Sequence, residues 1–297
     1  MQSKILLGTR GSKLALAQAD IVAGKIKNLD PSIQVEIVVI TTTGDKDQKT
    51  SLKEIGGKGV FIREIEQALL SGKIDIAVHS FKDITVQTAD GLHLSAFLKP
   101  ESICDVLISK SKIPFNEIAP GSRIGTGSMR RRALLKRMRS DLEYVDIRGN
   151  IDTRISRMEQ GACAGILLSE AGLIRLGLSG KISERFDPER FLPAPGQGVI
   201  AIQTRIEDNE LSHLCRNAGD EEQFVVSSAE FAALECLGFD CRMPFGLLSR
   251  LCGDQITMKA FYEIAQKRLF VEESVTGNKS DAVKTGKHLA ALLLERL

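Results

Sequence analysis

The sequence predicts an α/β protein of two doubly wound lobes followed by a small α+β domain, and three observations carry that reading. Strand patterns alternate with helical patterns twice, in residues 4–80 and again in 122–169. A Pro/Gly segment, FLPAPGQGV (191–199), then leads into a further strand pattern that can return to the first sheet. From about residue 222 the alternation gives way to a helix, short strand-like runs and a C-terminal helix. The chain has 297 residues, long for one core at about 100–200 residues per domain. The expected division is 1–98 plus 199–219, then 99–198, then 220–297.

Taken in order, KILL (4–7) reads as a buried strand, and GTRGS turns the chain into a helix whose apolar positions are 14, 17, 21, 22, 26 and 29. QVEIVVI (34–40) is a strand, VFIREIEQALLSG (60–72) a helix closed by glycine, and IDIAVHS (74–80) a strand. This alternation predicts a parallel sheet. The second lobe repeats the order with SRIGTGS (122–128), the helix MRRRALLKRM (129–138), LEYVDI (142–147), the helix IDTRISRMEQG (151–161) and AGILLS (164–169). The last domain takes FVVSSAEFAALECLG (224–238) as a helix, three runs within 243–275 as strands, and 281–297 as a closing helix.

Forty basic residues against 38 acidic ones leave a net charge of +2, so any basic site is local and the chain as a whole is no polyelectrolyte. With 43% hydrophobic and 26% charged residues and only 8 prolines, collagen-like, disordered and disulfide-scaffold classes are excluded. Arg10 and Lys13 interrupt the first apolar run where a signal peptide would continue, and no segment approaches the roughly 18 apolar residues of a membrane span. The six cysteines, at 104, 163, 215, 236, 241 and 252, read as reduced thiols of a cytoplasmic protein.

GTRGS (8–12) and GTGS (125–128) both join a strand to a helix. Backbone N–H groups, the hydroxyls of Thr9, Ser12, Thr126 and Ser128, and the positive helix ends make both candidate anion sites, with an ordinary serine-capped turn as the plainer reading. Arginine is concentrated between Arg123 and Arg157, where nine arginines and Lys136 face Asp141, Glu143, Asp146 and Asp152. Successive helical residues are about 100° apart, so at most two of Arg130, Arg131 and Arg132 reach one ligand. A cleft lined by Arg10, Arg130, Arg131, Arg148 and Arg154 suits a polyanion. Tyr144 is the one aromatic in that stretch and the chain has no Trp, which favours a small polycarboxylate over nucleic acid.

HSFKD (79–83) ends the strand beginning at 74, the place where open α/β sheets set their sites. Asp83 is the candidate acid there, able to accept N–H groups or stabilise a developing cation; His79 reads as a satisfied strand-end residue. GGKG (56–59) lacks the phosphate-loop pattern and reads as a lid segment. Cys241, beside Arg242 on a Gly/Pro-flanked loop, is either inert or activated. Cysteine spacing argues against zinc.

GTRGSKLALAQ, GGKGVFIREIEQALL, DIAVHSFKD, GTGSMRRR, IRGNIDTRI, AGLIRLG, PAPGQG and CRMP follow one another along the chain, and together they resemble the porphobilinogen deaminase (hydroxymethylbilane synthase) family nearly end to end. The resemblance implies two periplasmic-binding-protein-like lobes with a hinge and active-site cleft, and a third domain whose cysteine holds a dipyrromethane cofactor by a thioether. That cysteine maps to Cys241, with Cys236 as the alternative; the cofactor is built from substrate and no metal is implied. Cofactor and substrate carboxylates are assigned to Arg10, Ser12, Lys82, Thr126, Ser128, Arg130, Arg131, Arg148, Arg154 and Arg175, with Lys58, Phe61, Ser80 and Gln197 in the same site and residues 42–58 as the lid. Asp83 would meet pyrrole N–H groups and stabilise positive charge as ammonia leaves. Four condensations give a hexapyrrole on Cys241, and hydrolysis releases hydroxymethylbilane.

Departures from the family pattern are Phe239 and Asp240 before Cys241, Phe231 after Glu230, Thr85 after HSFKDI, Cys104 before Asp105, and Gly127 in the second turn. Loss of a hydroxyl at 127 is worth roughly 1 kcal/mol of cofactor binding. The expected partner is porphobilinogen, with no nucleic acid and no membrane, and the chain is expected to be a cytoplasmic monomer. Two other classes remain as readings: a non-catalytic two-lobe protein that captures a polycarboxylate or phosphorylated ligand, and an anion-regulated nucleic-acid binder.

Overall fold

The computed structural model describes residues 3–42, 62–84, 88–239, 243–264 and 269–296. The chain divides into two compact units, Met1–Pro100 with Val199–Ser227 and Glu101–Gly198 with Ser228–Leu297. In chain order the first unit begins with β1 (Lys4–Thr9), α1 (Lys13–Leu29), β2 (Gln34–Val39), α2 (Arg63–Leu70), β3 (Ile76–Ser80) and β4 (Leu92–Leu98). The second unit takes up β5 (Asp105–Ser109), β6 (Arg123–Gly125), α3 (Met129–Met138), β7 (Glu143–Val145), α4 (Ile151–Glu159), β8 (Gly165–Ser169), α5 (Glu170–Arg175) and β9 (Glu184–Arg185). The chain re-enters the first unit with β10 (Ile200–Arg205) and α6 (Asn209–Ala218). It closes with α7 (Glu221–Leu237), β11 (Phe245–Cys252), β12 (Gln255–Ile264), β13 (Leu269–Asn278) and α8 (Ala282–Leu294).

Three sheets result, in the orders β2-β1-β3-β10-β4, β7-β6-β8-β5-β9 and β11-β12-β13. In each of the first two, a middle strand pairs in parallel with both neighbours: β1 with β2 and β3, and β6 with β7 and β8. The expectation of parallel sheets holds only for those three strands of each. β10 runs antiparallel to β3 and β4, and β5 antiparallel to β8 and β9. β5 and β10 are the first strands after the chain changes unit, so no helical crossover returns them to the parallel sense. The return of 199–205 to the first sheet is as the sequence predicts.

Helix α1 forms where alanines and Val22 and Ile26 recur on one face, and Ser12 caps it by accepting the Ala15 N–H at 3.2 Å. It packs with α6 on one face of the first sheet, where Ile5, Leu7, Val22, Ile26, Val78 and Leu214 share a cluster. On the opposite face Ile65 and Leu69 of α2 meet Ile74, Ala77 and Leu92. Gly72, at φ +71°, ends α2 in the left-handed conformation that lets the Lys73 N–H reach back to the Ala68 carbonyl at 2.9 Å.

The second sheet is covered in the same two-sided way. Val106, Ile108, Ile166 and Leu168 pack on Ile155 and Met158 of α4, while Leu107, Ile124 and Leu167 face Ala133, Leu134 and Leu135 of α3. The α3 side continues into the third sheet, because Leu248 and Phe261 belong to the same cluster. The Leu247 N–H donates to the Pro193 carbonyl at 2.9 Å, and Arg137 lies 4.5 Å over the Phe270 ring. Phe239 is a core residue, 4.7 Å from Tyr262 and 5.4 Å from Phe245 between ring centroids. A bulky ring before Cys241 is thereby accommodated by packing.

Glu230 of α7 is buried and accepts the Gly196 N–H at 2.7 Å. Burial pushes its carboxyl up to about 7, against an ordinary value of 4.5. The folded state therefore keeps a proton that the unfolded chain has lost. Its contribution to stability is full below about pH 4.5 and is lost as pH rises through about 7, a difference of roughly 3 kcal/mol. Glu230→Gln retains an acceptor and cannot ionise. Denaturant unfolding should find it equal to the parent at pH 4.5 and more stable at pH 8; equal stability at pH 8 would contradict a buried acid there.

Candidate functional site

The two matched turns are built on the same steric demand. A Cβ on Gly8 would come within 2.2 Å of Ile74 Cδ1, and one on Gly125 within 3.0–3.1 Å of Ile147, Cys163 and Ile166. A larger residue at either position would thus have to displace neighbouring side chains. Thr9 donates to the carbonyls of Ala15 and Val78 at 3.3 and 3.4 Å. Thr126, equally buried, accepts the Ser128 N–H at 3.2 Å, and Ser128 accepts the Arg131 N–H at 3.4 Å. Ser12 and Ser128 are therefore N-caps, as the plainer reading of both turns has it. A Cβ at Gly127 would meet only the Ile147 carbonyl, at 3.6 Å, so the turn has room for the hydroxyl it lacks.

In the first unit, β3 carries Ser80 to its end and the 3-10 turn Phe81–Asp83 follows. Phe81 anchors that turn: its N–H donates to the Val199 carbonyl at 2.9 Å and its ring sits 4.7 Å from Phe97. Asp83 is exposed and Lys82 half-buried. Ser80 exchanges hydrogen bonds with the buried Gln18 amide at 2.9 and 3.1 Å. His79 lies 3.2 Å from Gln203 Oε1. Burial drives its pKa down to about 4, and the nearby Arg10 charge adds to that, against the pull of Gln203. It is the satisfied strand-end residue that the sequence predicts. Arg10 itself is half-buried just after β1.

In the second unit, α3 turns Arg130 and Arg131 inward onto one acid, Asp105, the first residue of β5. Arg130 is 3% exposed and Arg131 6%. Arg130 donates Nη1 to Asp105 Oδ2 at 2.8 Å and to the Leu192 carbonyl at 2.7 Å; its Nη2 reaches Asp105 Oδ1 and Gln197 Oε1 at 3.3 and 3.2 Å. Arg131 donates Nε to Asp105 Oδ1 at 2.7 Å and Nη1 to the Leu167 carbonyl at 3.0 Å, with Nη2 2.6 Å from the same carboxylate oxygen. Burial pushes the Asp105 carboxyl up, but the two guanidiniums together override it and hold it below the usual carboxylate range. Arg130 Nε is buried without a hydrogen-bond partner among the described residues. Arg132 points elsewhere, to Asp146 at 2.7 Å, as the 100° helical step requires.

Gln197 is locked by donating to the Ile103 carbonyl at 2.7 Å while it accepts from Arg130. Arg154 donates Nε to the Gly149 carbonyl at 2.6 Å, and Arg148 is half-buried at the foot of α4. Arg175 is engaged by Glu101 through two hydrogen bonds, at 3.1 and 2.6 Å. Lys58, Phe61, Thr85 and Cys241 lie outside the described residues, as does most of the expected lid; Cys236 is exposed. Sequence reasoning missed Asp105 and Gln18. The signal for Asp105 was present: an acid opening the apolar run DVLI is too costly to bury without a cation. Among the described residues, no group of His, Cys, Asp and Glu side chains is arranged to hold a metal ion, and no helix is long and apolar enough to cross a membrane.

Comparison with known proteins gives these residues a common context. The family model described as porphobilinogen deaminase, dipyromethane cofactor binding domain, matches residues 5–213. The porphobilinogen deaminase of Syntrophus aciditrophicus is 40% identical over 289 residues, 97% of this chain and 94% of that protein. That of Clostridium botulinum is 38% identical over 98% of this chain and 99% of its own. The match spans both turns, the arginine pair and the strand that leads to Asp83, and the chain belongs to the porphobilinogen deaminase family.

Proposed function

We propose that this chain condenses four porphobilinogen molecules head to tail with loss of ammonia, primed by a dipyrromethane on Cys241, and releases hydroxymethylbilane by hydrolysis. The observation that carries the reading is the buried arginine pair. Two guanidiniums share one carboxylate, which leaves the three side chains together with one positive charge and, among the described residues, an unpartnered Nε–H on Arg130. A buried charge excess of this kind calls for an anionic partner. A carboxylate of a linked pyrrole pair supplies it, so the donor set fits the cofactor that the matched domain is named for. When bound, that cofactor supplies the nucleophilic pyrrole carbon from which the chain grows.

In this reading Arg130 and Arg131 take a cofactor carboxylate, while Thr126, Ser128 and Ser12 orient it at the helix starts. Arg10, Lys82, Arg148 and Arg154 provide counter-charge to the acetate and propionate groups of incoming substrate, with Lys58, Phe61, Ser80 and Gln197 completing the site. Arg175 exchanges Glu101 for a substrate carboxylate. Asp83, held at a strand end by the buried Phe81, accepts pyrrole N–H groups and stabilises the cation that develops on porphobilinogen as ammonia departs. Residues 220–297 form the domain that carries Cys241, beside lobes 1–98 plus 199–219 and 99–198. The protein works as a cytoplasmic monomer on a free small molecule, independent of nucleic acid, membrane or metal.

Asp83→Asn should fold and carry the cofactor yet lose turnover by about 100-fold or more, the scale of a charge-handling group; near-normal turnover would remove Asp83 from that role. Arg130→Leu or Arg131→Leu each leaves Asp105 with one cation, so either variant should fold, but intact-mass measurement should find apo-protein. A fully loaded variant would contradict the assignment.

A further inference from the structure

We propose that Asp105 is a positioning residue, which aims Arg130 and Arg131 as a pair and lowers their joint charge to +1, making the pair a receptor for a single carboxylate. The inference rests on the reading that these arginines hold cofactor carboxylates. Asp105 touches neither cofactor nor substrate in it. Its side chain is fully buried, and its place is fixed by the backbone: it opens β5, opposite Ser169 of β8, and its carbonyl accepts the Phe186 N–H at 3.0 Å. Both carboxylate oxygens are used, Oδ2 by Arg130 and Oδ1 by both arginines. A rigid acid gripped from two directions fixes each fork in orientation, which flexible surface acids do not do.

Charge balance favours the same arrangement. Two like charges in a buried site repel, and without an acid between them they would splay apart or fail to bury. With Asp105 present, one net charge remains. An arriving carboxylate then neutralises the cluster and meets the Arg130 Nε–H, which has no partner among the described residues. A second carboxylate at the same point would restore an imbalance.

Asp105→Asn and Asp105→Glu test this in the full-length protein, with the fraction carrying covalent cofactor read by intact mass against added porphobilinogen. Asp105→Asn should lower the loaded fraction at least tenfold. Asp105→Glu keeps the charge and should melt close to the parent, yet its longer arm shifts both forks, so loading should need about tenfold more porphobilinogen. In Asp105→Glu the porphobilinogen requirement for loading should rise while the melting temperature stays near the parent's, a split that simple loss of stability would not produce. Should Asp105→Asn fail to fold, Asp105→Glu decides. Either folded variant loading at parental concentrations overturns the proposal. If Arg130→Leu loads normally, the receptor reading fails first; if Arg130→Leu stays empty while the Asp105 variants load, only the role of Asp105 fails.

Discussion

In the interior of the second unit two guanidiniums, those of Arg130 and Arg131, close on a single carboxylate, that of Asp105. Each of the three is buried, so solvent cannot screen the imbalance. The surrounding architecture supplies neutral acceptors instead: the carbonyls of Leu192 and Leu167 and the amide oxygen of Gln197. Those acceptors come from β8 and from the segment 192–198, and Asp105 comes from β5. A short helix capped by Ser128 presents both arginines to all of them. Remote stretches of chain are thus obliged to meet at one point, and the fold of this unit is arranged around that meeting.

The same segment ties in the third sheet. Gly196 donates to Glu230 on α7, and Pro193 accepts from Leu247 on β11. Gln197, next to Gly196, holds Arg130. The helix that leads toward Cys241 is therefore linked, through a run of five residues, to the arginine pair. Phe239 reinforces the link by packing on Phe245 and Tyr262. A departure from the family pattern two residues before Cys241 is absorbed in this way by the hydrophobic core of the third sheet.

Much of this is legible in the sequence, and what is not has physical reasons. Helix α1 can be read from its apolar spacing and from Ser12, and the glycine closing α2 from the turn it makes. The 100° step between helical neighbours is enough by itself to separate Arg132 from the other two. Strand direction is not legible, because strand propensity carries no sense of direction; the antiparallel setting of β5 and β10 therefore leaves no mark on their residues. Asp105 is hidden for a related reason. Its partners lie 25 and 26 residues away, and a single acid at the start of an apolar strand does not announce which cation it will meet. Gln18 on α1 likewise shows its purpose only when α1 brings it to Ser80 on β3.

The central claim is that this chain carries a covalent pyrrole primer, and the intact mass of the purified protein beside a Cys241→Ser variant tests it most directly. The parent protein should carry the added mass of two linked pyrroles, and the variant should lack it. A parent that is unmodified, and that stays unmodified and inactive after incubation with porphobilinogen, would contradict both the attachment site and the reaction.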